Sequence, residues 1–311
     1  DSATDPGAVQ AIMNAAVAVG AKPGVMIIPQ LPFQGGLADP YIPEPVKAAA
    51  CSCDVWVDMT FPYLAGSKVH DRAIEEGRVR FLMLADTTAP GLDRLYGQTD
   101  QDLLYEVQRT FDEVAAAALG RPCRITNPAG TDLRFIMGKA GYIKSRRADK
   151  PGQLTPPGSA AFFPELESVK GQAVITSAFH EYYAPFVSPL TIKVDGKVRE
   201  VTGGGSLRGA MDRSLKRAGG GEYGYVIHLT HGFHPAVRAG LGLMEDIRTP
   251  GNDAIGLGRP WWEPGGGETH PDGIVNMQSI WLDGDRVVED GQFVNPPELA
   301  KLGTELQSAF A

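Results

Sequence analysis

Cysteine is nearly absent, with Cys51, Cys53 and Cys123 the only three in 311 residues. An odd number cannot all pair within the chain, and Cys51 and Cys53 are too close for an ordinary structural bridge. A disulfide framework is therefore excluded, and a reducing, cytoplasmic setting is expected. Without a second matching pair, the Cys-x-Cys spacing makes a poor metal site. Positive charge is also in short supply. With 29 Lys and Arg against 37 Asp and Glu the formal net charge is −8, which argues against nucleic acid or an anionic membrane as partner, since either needs a basic surface. No apolar run approaches the roughly 18–20 residues of a membrane span, and no basic-then-apolar signal opens the chain. No internal repeat is evident. The chain starts at Asp1 rather than methionine, and a leading segment ahead of it is expected.

Glycine (38) and proline (24) are plentiful but dispersed, which suggests many turns between short elements rather than linkers. The length suits two domains. In the first half, helical spacing over Pro6–Ala21 is followed by an apolar run, Val25–Ile28, that reads as a strand. A short helix at Ile42–Ala50, a strand at Val55–Met59, a helix at Leu64–Gly77 and a strand at Val79–Leu84 complete an alternation typical of parallel β-α-β units. The clearest helix is Asp100–Leu119, with Leu103, Leu104, Val107, Phe111, Val114 and Ala115 on one face, Thr99 as cap and Gly120-Arg-Pro122 as stop. After Pro122 the texture changes to short extended runs, with a polar loop expected from Gly138 to Ser159. Hairpin turns are expected at Asp195-Gly196 and Asp283-Gly284. Gly203–Gly205 lacks dinucleotide-binding spacing and reads as a turn into a helix at Ser206–Arg217. The expected organisation is an α/β domain with a parallel sheet over residues 1–128, then a β-rich α+β metal-binding domain over residues 129–311.

Histidine is as sparse as it is informative: of six, four fall between Tyr225 and Asp272. His228 ends an apolar run, and after a triple glycine the chain reads His270-Pro-Asp272. Residues i and i+2 of an extended segment point to one side, so His270 and Asp272 can aim at one point. With His228 they make a 2-His-1-carboxylate set suited to Fe(II), with positions left open for substrate and dioxygen. A lone histidine on an apolar run is more often a buried structural residue, and His-x-Asp is common by chance. Only the combination is informative. His231 and His234, in a turn-like segment, are expected to line the substrate pocket or support a ligand, and Trp261 or Trp262 to stack on a flat ring or join the core. His180, after an apparent strand, suits a proton acceptor near neutral pH. His70, on an amphipathic helix of the first domain, is the second candidate for that task.

The ordered series Gly130-Thr-Asp-Leu133, Pro164-Glu165, Pro189–Gly196, His228–Pro235, Met244-Glu-Asp246, Ala254-Ile-Gly-Leu-Gly258 and His270-x-Asp272 resembles the thermophilic metalloaminopeptidase (aminopeptidase T) superfamily. The likeness is strong over the second domain and only outlined over the first. In the aminopeptidase branch the resemblance would put a glutamate at position 228 and a metal-binding histidine near Ala254, and this chain has neither. It is more similar to the 2,5-dihydroxypyridine 5,6-dioxygenase branch, which implies one Fe(II) on His228, His270 and Asp272 and oxygen-dependent opening of a hydroxylated N-heteroaromatic ring. Glu165 matches a metal-site glutamate of the aminopeptidases, and the resemblance leaves it to anchor the ring nitrogen or a hydroxyl. The superfamily also implies a homo-oligomer. The competing readings are an aminopeptidase-like metallohydrolase using metal-bound water and a binding protein whose metal site is structural or lost. Structural zinc favours thiolates in a closed set of four, and no cysteine lies near the triad in sequence.

Overall fold

The computed structural model describes every residue except 86, 142–146, 180–182, 263–268 and 310–311, and the backbone alone of Leu243. The chain falls into two compact units, Asp1–Thr99 with Lys144–Pro156, and Asp100–Ile143 with Pro157–Ala311.

The first unit holds helices α1 (Pro6–Ala18), α2 (Glu44–Ser52), α3 (Lys68–Glu75) and α4 (Ala89–Leu92) around strands β1 (Val55–Asp58) and β2 (Arg80–Met83). These two strands pair in parallel, as the alternation implies. The third strand of the sheet comes from a segment expected as loop: Gly152–Leu154 pairs in parallel with β2. Three residues, Gly-Gln-Leu, carry too little pattern to be seen in sequence. The apolar run at Val25–Ile28, expected as a strand, is not one. Val25, Met26 and Ile27 are exposed, and Ile28 alone is buried, beside Leu31, Ile42, Leu64 and Val69.

The second unit opens with α5 (Gln101–Ala117) and is built on antiparallel pairing. The cap of α5 is Asp100, whose carboxylate accepts the Leu103 N–H at 3.0 Å, rather than Thr99. Its apolar stripe of Leu104, Val107 and Phe111 packs with Ile125, Leu133, Ile175, Leu229 and Ile255 of the sheet. A boundary at 128/129 would separate this helix from the core it completes.

In chain order the strands are β3 (Pro122–Thr126), β4 (Asp132–Ile136), β5 (the Gly152–Leu154 strand of the first unit), β6 (Ser159–Phe162), β7 (Lys170–Phe179), β8 (Tyr183–Asp195), β9 (Lys197–Gly203), β10 (Tyr225–Gly232), β11 (Asn252–Gly258), β12 (Asp272–Asn276), β13 (Ser279–Leu282), β14 (Asp285–Glu289) and β15 (Gln292–Phe293). Helix α6 (Arg208–Ala218) follows β9, the short α7 (Leu243–Asp246) precedes β11, and α8 (Pro297–Ser308) ends the chain. Both expected hairpins form, with Gly196 and the pair Asp283-Gly284 at positive φ. Strands β7 to β12 pair in succession, and β12 pairs back onto β7, so the six close on themselves. A small parallel sheet with helices plus a large curled antiparallel sheet is the mixed α/β and α+β class expected.

Candidate metal centre

The site is laid out on β10, and a bulge decides which of its side chains reach it. Val226 pairs with Leu257 of β11 and His228 with Gly256, so Ile227 is an extra residue. An inserted residue re-aims the chain beyond it. Val226 can thus face the core with Leu229 and Phe233, while His228 and Thr230 face the other way.

On that second face the register brings His228 of β10, Gly256 of β11, Asp272 of β12 and Phe179 of β7 into one row. Gly256 is what lets the row work. A Cβ there would lie 2.5 Å from His228 Cδ2 and 2.7 Å from Cε1, and nearer still to Nε2, so the imidazole lies directly over the glycine backbone. Reaching across it, His228 Nε2 stands 3.5 Å from Asp272 Oδ1. His270, one residue ahead of Pro271 and fixed by the Leu257 N–H bond to Pro271 O, brings Nε2 to 3.7 Å from Asp272 Oδ2. Ligand atoms of all three lie within 4.8 Å of one another. Two donors about 2.1 Å from a common metal stand roughly 3.0–3.5 Å apart, so the set needs little closing to hold one. Among the described residues no other group of three or more His, Cys, Asp or Glu is so placed.

Aromatic rings frame the triad in a closed circuit. From His228 to His270 the centroids are 5.3 Å apart, then 6.3 Å to Trp261, which stacks nearly parallel on His270. Trp261 to Trp262 is 5.4 Å, Trp262 to Phe163 is 5.5 Å and Phe163 returns to His228 at 6.4 Å. Trp262 also lies on the backbone of Gly141, where a Cβ would collide with its indole.

His231 points to the core face of β10, wholly buried, its ring stacked on Phe111 and edge-on to Phe293. Burial alone holds its pKa down to about 3. Its cross-strand partner Asp253 is equally buried. Desolvation pushes that carboxyl up to about 8, against the smaller opposing effect of the Thr230 N–H it accepts. His234 is buried over Gly158, with Nδ1 accepting the Ala236 N–H. Glu165 is exposed, its backbone N–H bonded to Ile136 O. His70, in the first unit, is buried against Trp56 and Phe81, with Nδ1 3.1 Å from both the Gly66 nitrogen and Asp71 Oδ1. His180 lies outside the described residues.

Sequence reasoning found the three clustered residues and missed their supports, Gly256, the extra Ile227 and Phe163. A glycine inside an otherwise apolar run, Ala254-Ile-Gly-Leu257, was the available signal for close approach. The bulge left no signal, because it is a property of pairing.

No curated protein sequence matches the chain significantly. Solved structures do. The 2,5-dihydroxypyridine dioxygenase from Pseudomonas putida KT2440 superposes with a TM-score of 0.72 at 20% identity, covering 96% of this chain and 90% of that one. Wild-type AmpT from Thermus thermophilus gives 0.52 at 16% identity over 93% and 80%. At such identities the likeness is one of fold. The sequence profile of the family described as NicX, 2,5-dihydroxypyridine 5,6-dioxygenase, matches residues 1–253, which includes His228 and stops short of His270 and Asp272. Because that match takes in 253 of the 311 residues, the chain belongs to the 2,5-dihydroxypyridine 5,6-dioxygenase family.

Proposed function

We propose that the protein is a mononuclear non-haem Fe(II) dioxygenase that opens the ring of a dihydroxypyridine, or a similar hydroxylated N-heteroaromatic, with O2. The observation that carries this reading is the convergence of His228, His270 and Asp272 over Gly256. Two imidazoles and a carboxylate are the donor set that holds Fe(II) on one side only. When bound, the iron would supply a path for electron density between a singlet ring and triplet dioxygen, whose direct reaction is slow.

The chain's own residues then have to bind, orient and move protons. Trp262, edge-on to Phe163, is suited to stack on a flat ring. His180 is our choice for the proton acceptor from a ring hydroxyl, with His70 second. Glu165 is proposed to anchor the ring nitrogen or a hydroxyl. His231, in the core, is not given a part in substrate binding, and His234 is kept only as a support. The proposed setting is the cytoplasm, which suits three free thiols, and the proposed assembly is a homo-oligomer. Among the described residues no helix is long and apolar enough to cross a membrane.

The test is oxygen uptake by anaerobically iron-loaded protein given 2,5-dihydroxypyridine, beside a His228→Ala control. Stoichiometric uptake with loss of the ring's absorbance, absent from the control, is the expected result. Absence of uptake with this and related rings, together with oxygen-independent cleavage of an amide, would replace the dioxygenase by the metallohydrolase reading.

A further inference from the structure

The triad stands on one row of side chains, and a second row lies beside it on the same face of the sheet. From His228 onward the pairing of β10 is regular, so every second residue keeps that face. Thr230 lies opposite Ala161 of β6 and Ala254 of β11, and Ala254 opposite Ile274 of β12. Core packing marks the other face: Phe162, Leu229, Ile255 and Val275, the alternate residues of the same four strands, all belong to the large core cluster, and no member of the second row does.

Strand direction then says which side of the triad this row occupies. Strands β10 and β12 both run antiparallel to β11 and hence parallel to each other, so Thr230 and Ile274 follow His228 and Asp272 on the same side. His270, two residues before Asp272 and just beyond the Leu257 bond to Pro271 O, lies on the opposite side. The three donors therefore fill their own row and one flank. The free flank is floored by small residues, Ala161, Ala254 and Gly256, and it is partly open. Between Val226 and Gly232 Thr230 is the only residue that is not buried, and its partner Ala161 is the only one on β6.

Thr230 carries the only polar side chain in the second row from Ala161 to Ile274. Its backbone N–H is bonded to Asp253 Oδ1 at 2.9 Å, and among the described residues no partner meets its hydroxyl. Valine would suit a strand as well as threonine does. What threonine adds is a hydroxyl that both donates and accepts. Two residues along a strand span about 6.6 Å, the scale of a six-membered ring with a substituent at each end.

We propose that Thr230 is a specificity-determining residue: its hydroxyl hydrogen-bonds the second polar substituent of a hydroxylated ring whose first oxygen is held at the triad. The inference rests on the reading of the triad as a ring-binding metal centre. A ring without that second substituent leaves the threonine hydroxyl unpaired, and a site built around such a bond rejects the analogue that cannot form it. Thr230 meets the ring rather than the metal, so its hydroxyl is not needed for metal binding.

The test is an anaerobic titration of the Co(II)-loaded full chain with 2,5-dihydroxypyridine, followed by the visible cobalt spectrum, for the wild type, Thr230→Val and Thr230→Ser. The valine variant keeps the shape and loses the hydroxyl. It should take up Co(II) as the wild type does and bind the diol about fivefold to tenfold more weakly, the contribution of one hydrogen bond. The serine variant should recover most of that loss. The comparison ligands are 2-hydroxypyridine and 3-hydroxypyridine, each short of one oxygen: for the one lacking the oxygen that Thr230 meets, wild type and valine variant should bind alike. Unchanged diol affinity in the valine variant, an equal loss for all three rings, or weaker uptake of Co(II) itself would overturn the assignment to Thr230 and leave the metal centre standing. A wild-type spectrum that no ring perturbs would overturn the ring-binding reading and this inference with it. Should the valine variant not fold, Thr230→Ala is read in the same way.

Discussion

His228 and His231 stand three residues apart on one strand, both buried, and do opposite work. His228 turns to the face where Gly256 clears space for its ring and where a carboxylate oxygen stands 3.5 Å away. His231 turns to the face where two phenylalanines clamp it and an amide nitrogen meets its Nδ1. Burial does not separate them, and neither does composition, since both follow apolar or small neighbours. Facing does. Odd spacing on a strand sends side chains to opposite sides, and the bulge at Ile227 settles which side is which. A histidine becomes a metal-ligand candidate through what stands across the sheet from it, here a glycine and then an aspartate, rather than through its place in a motif.

The comparison breaks most sharply at His228. His228→Ala should abolish tight metal binding, a loss beyond the 10–100-fold typical of partners behind the ligands. It should leave the thermal transition of the metal-free protein nearly in place. Equilibrium dialysis against Fe(II) or Co(II), with calorimetry of the metal-free sample, measures both, and unchanged metal affinity would remove His228 from the ligand set. Next comes Gly256→Ala. The added methyl meets the ring of His228, which is the movable tip of a side chain. The fold should survive at a cost of about 1–3 kcal/mol, while metal affinity falls and the Co(II) spectrum changes as the imidazole is pushed off its floor. A glycine substitution that costs stability but leaves metal binding intact would mean that the ring has another place to go.

What could be read in the chain beforehand follows the same division. The triad was legible because His270 and Asp272 are close in sequence and extended spacing aims them together, and because His228 completes a chemically meaningful set. The stripe on α5 was legible as a helix face, yet nothing in it said which sheet the face would meet. His231 was expected to line the substrate pocket or support a ligand because its segment reads as a turn; only pairing with Asp253 and packing on Phe111 reveal that it lies on a strand and in the core. The strand at Gly152–Leu154 was invisible for the same reason: three residues acquire a direction only from the β2 strand they join.

On the core face the effects should appear in stability. His231→Phe removes the partner of Gln278 and a donor facing Asp253, at about 1–3 kcal/mol for the groups left unsatisfied. It should lower the denaturation midpoint while keeping the metal stoichiometry of the wild type, the reverse of His228→Ala. Loss of stoichiometric binding at unchanged stability would place His231 on the metal after all.

The smallest effect is a slope, and its sign distinguishes the two buried groups. Asp253 has a folded-state pKa of about 8 against an ordinary 3.8, so between these values the folded protein keeps a proton that the unfolded chain has released. Its contribution makes stability fall as pH rises through that window. His231, at about 3 against 6.5, does the opposite: the unfolded chain takes up a proton below pH 6.5, so stability rises with pH from about 3 to 6.5. The two slopes oppose each other between pH 3.8 and 6.5 and nearly cancel. From pH 6.5 to about 8 Asp253 acts alone, lowering stability by about 1.4 kcal/mol per pH unit. Asp253→Asn should flatten that decline and, below pH 6.5, uncover the rising slope of His231. Urea midpoints for the two proteins at pH 5, 6.5 and 8 measure the difference directly. Parallel curves would mean that Asp253 is already ionised in the folded protein, and the core face of β10 would then hold a charge that its counterpart across the strand does not need.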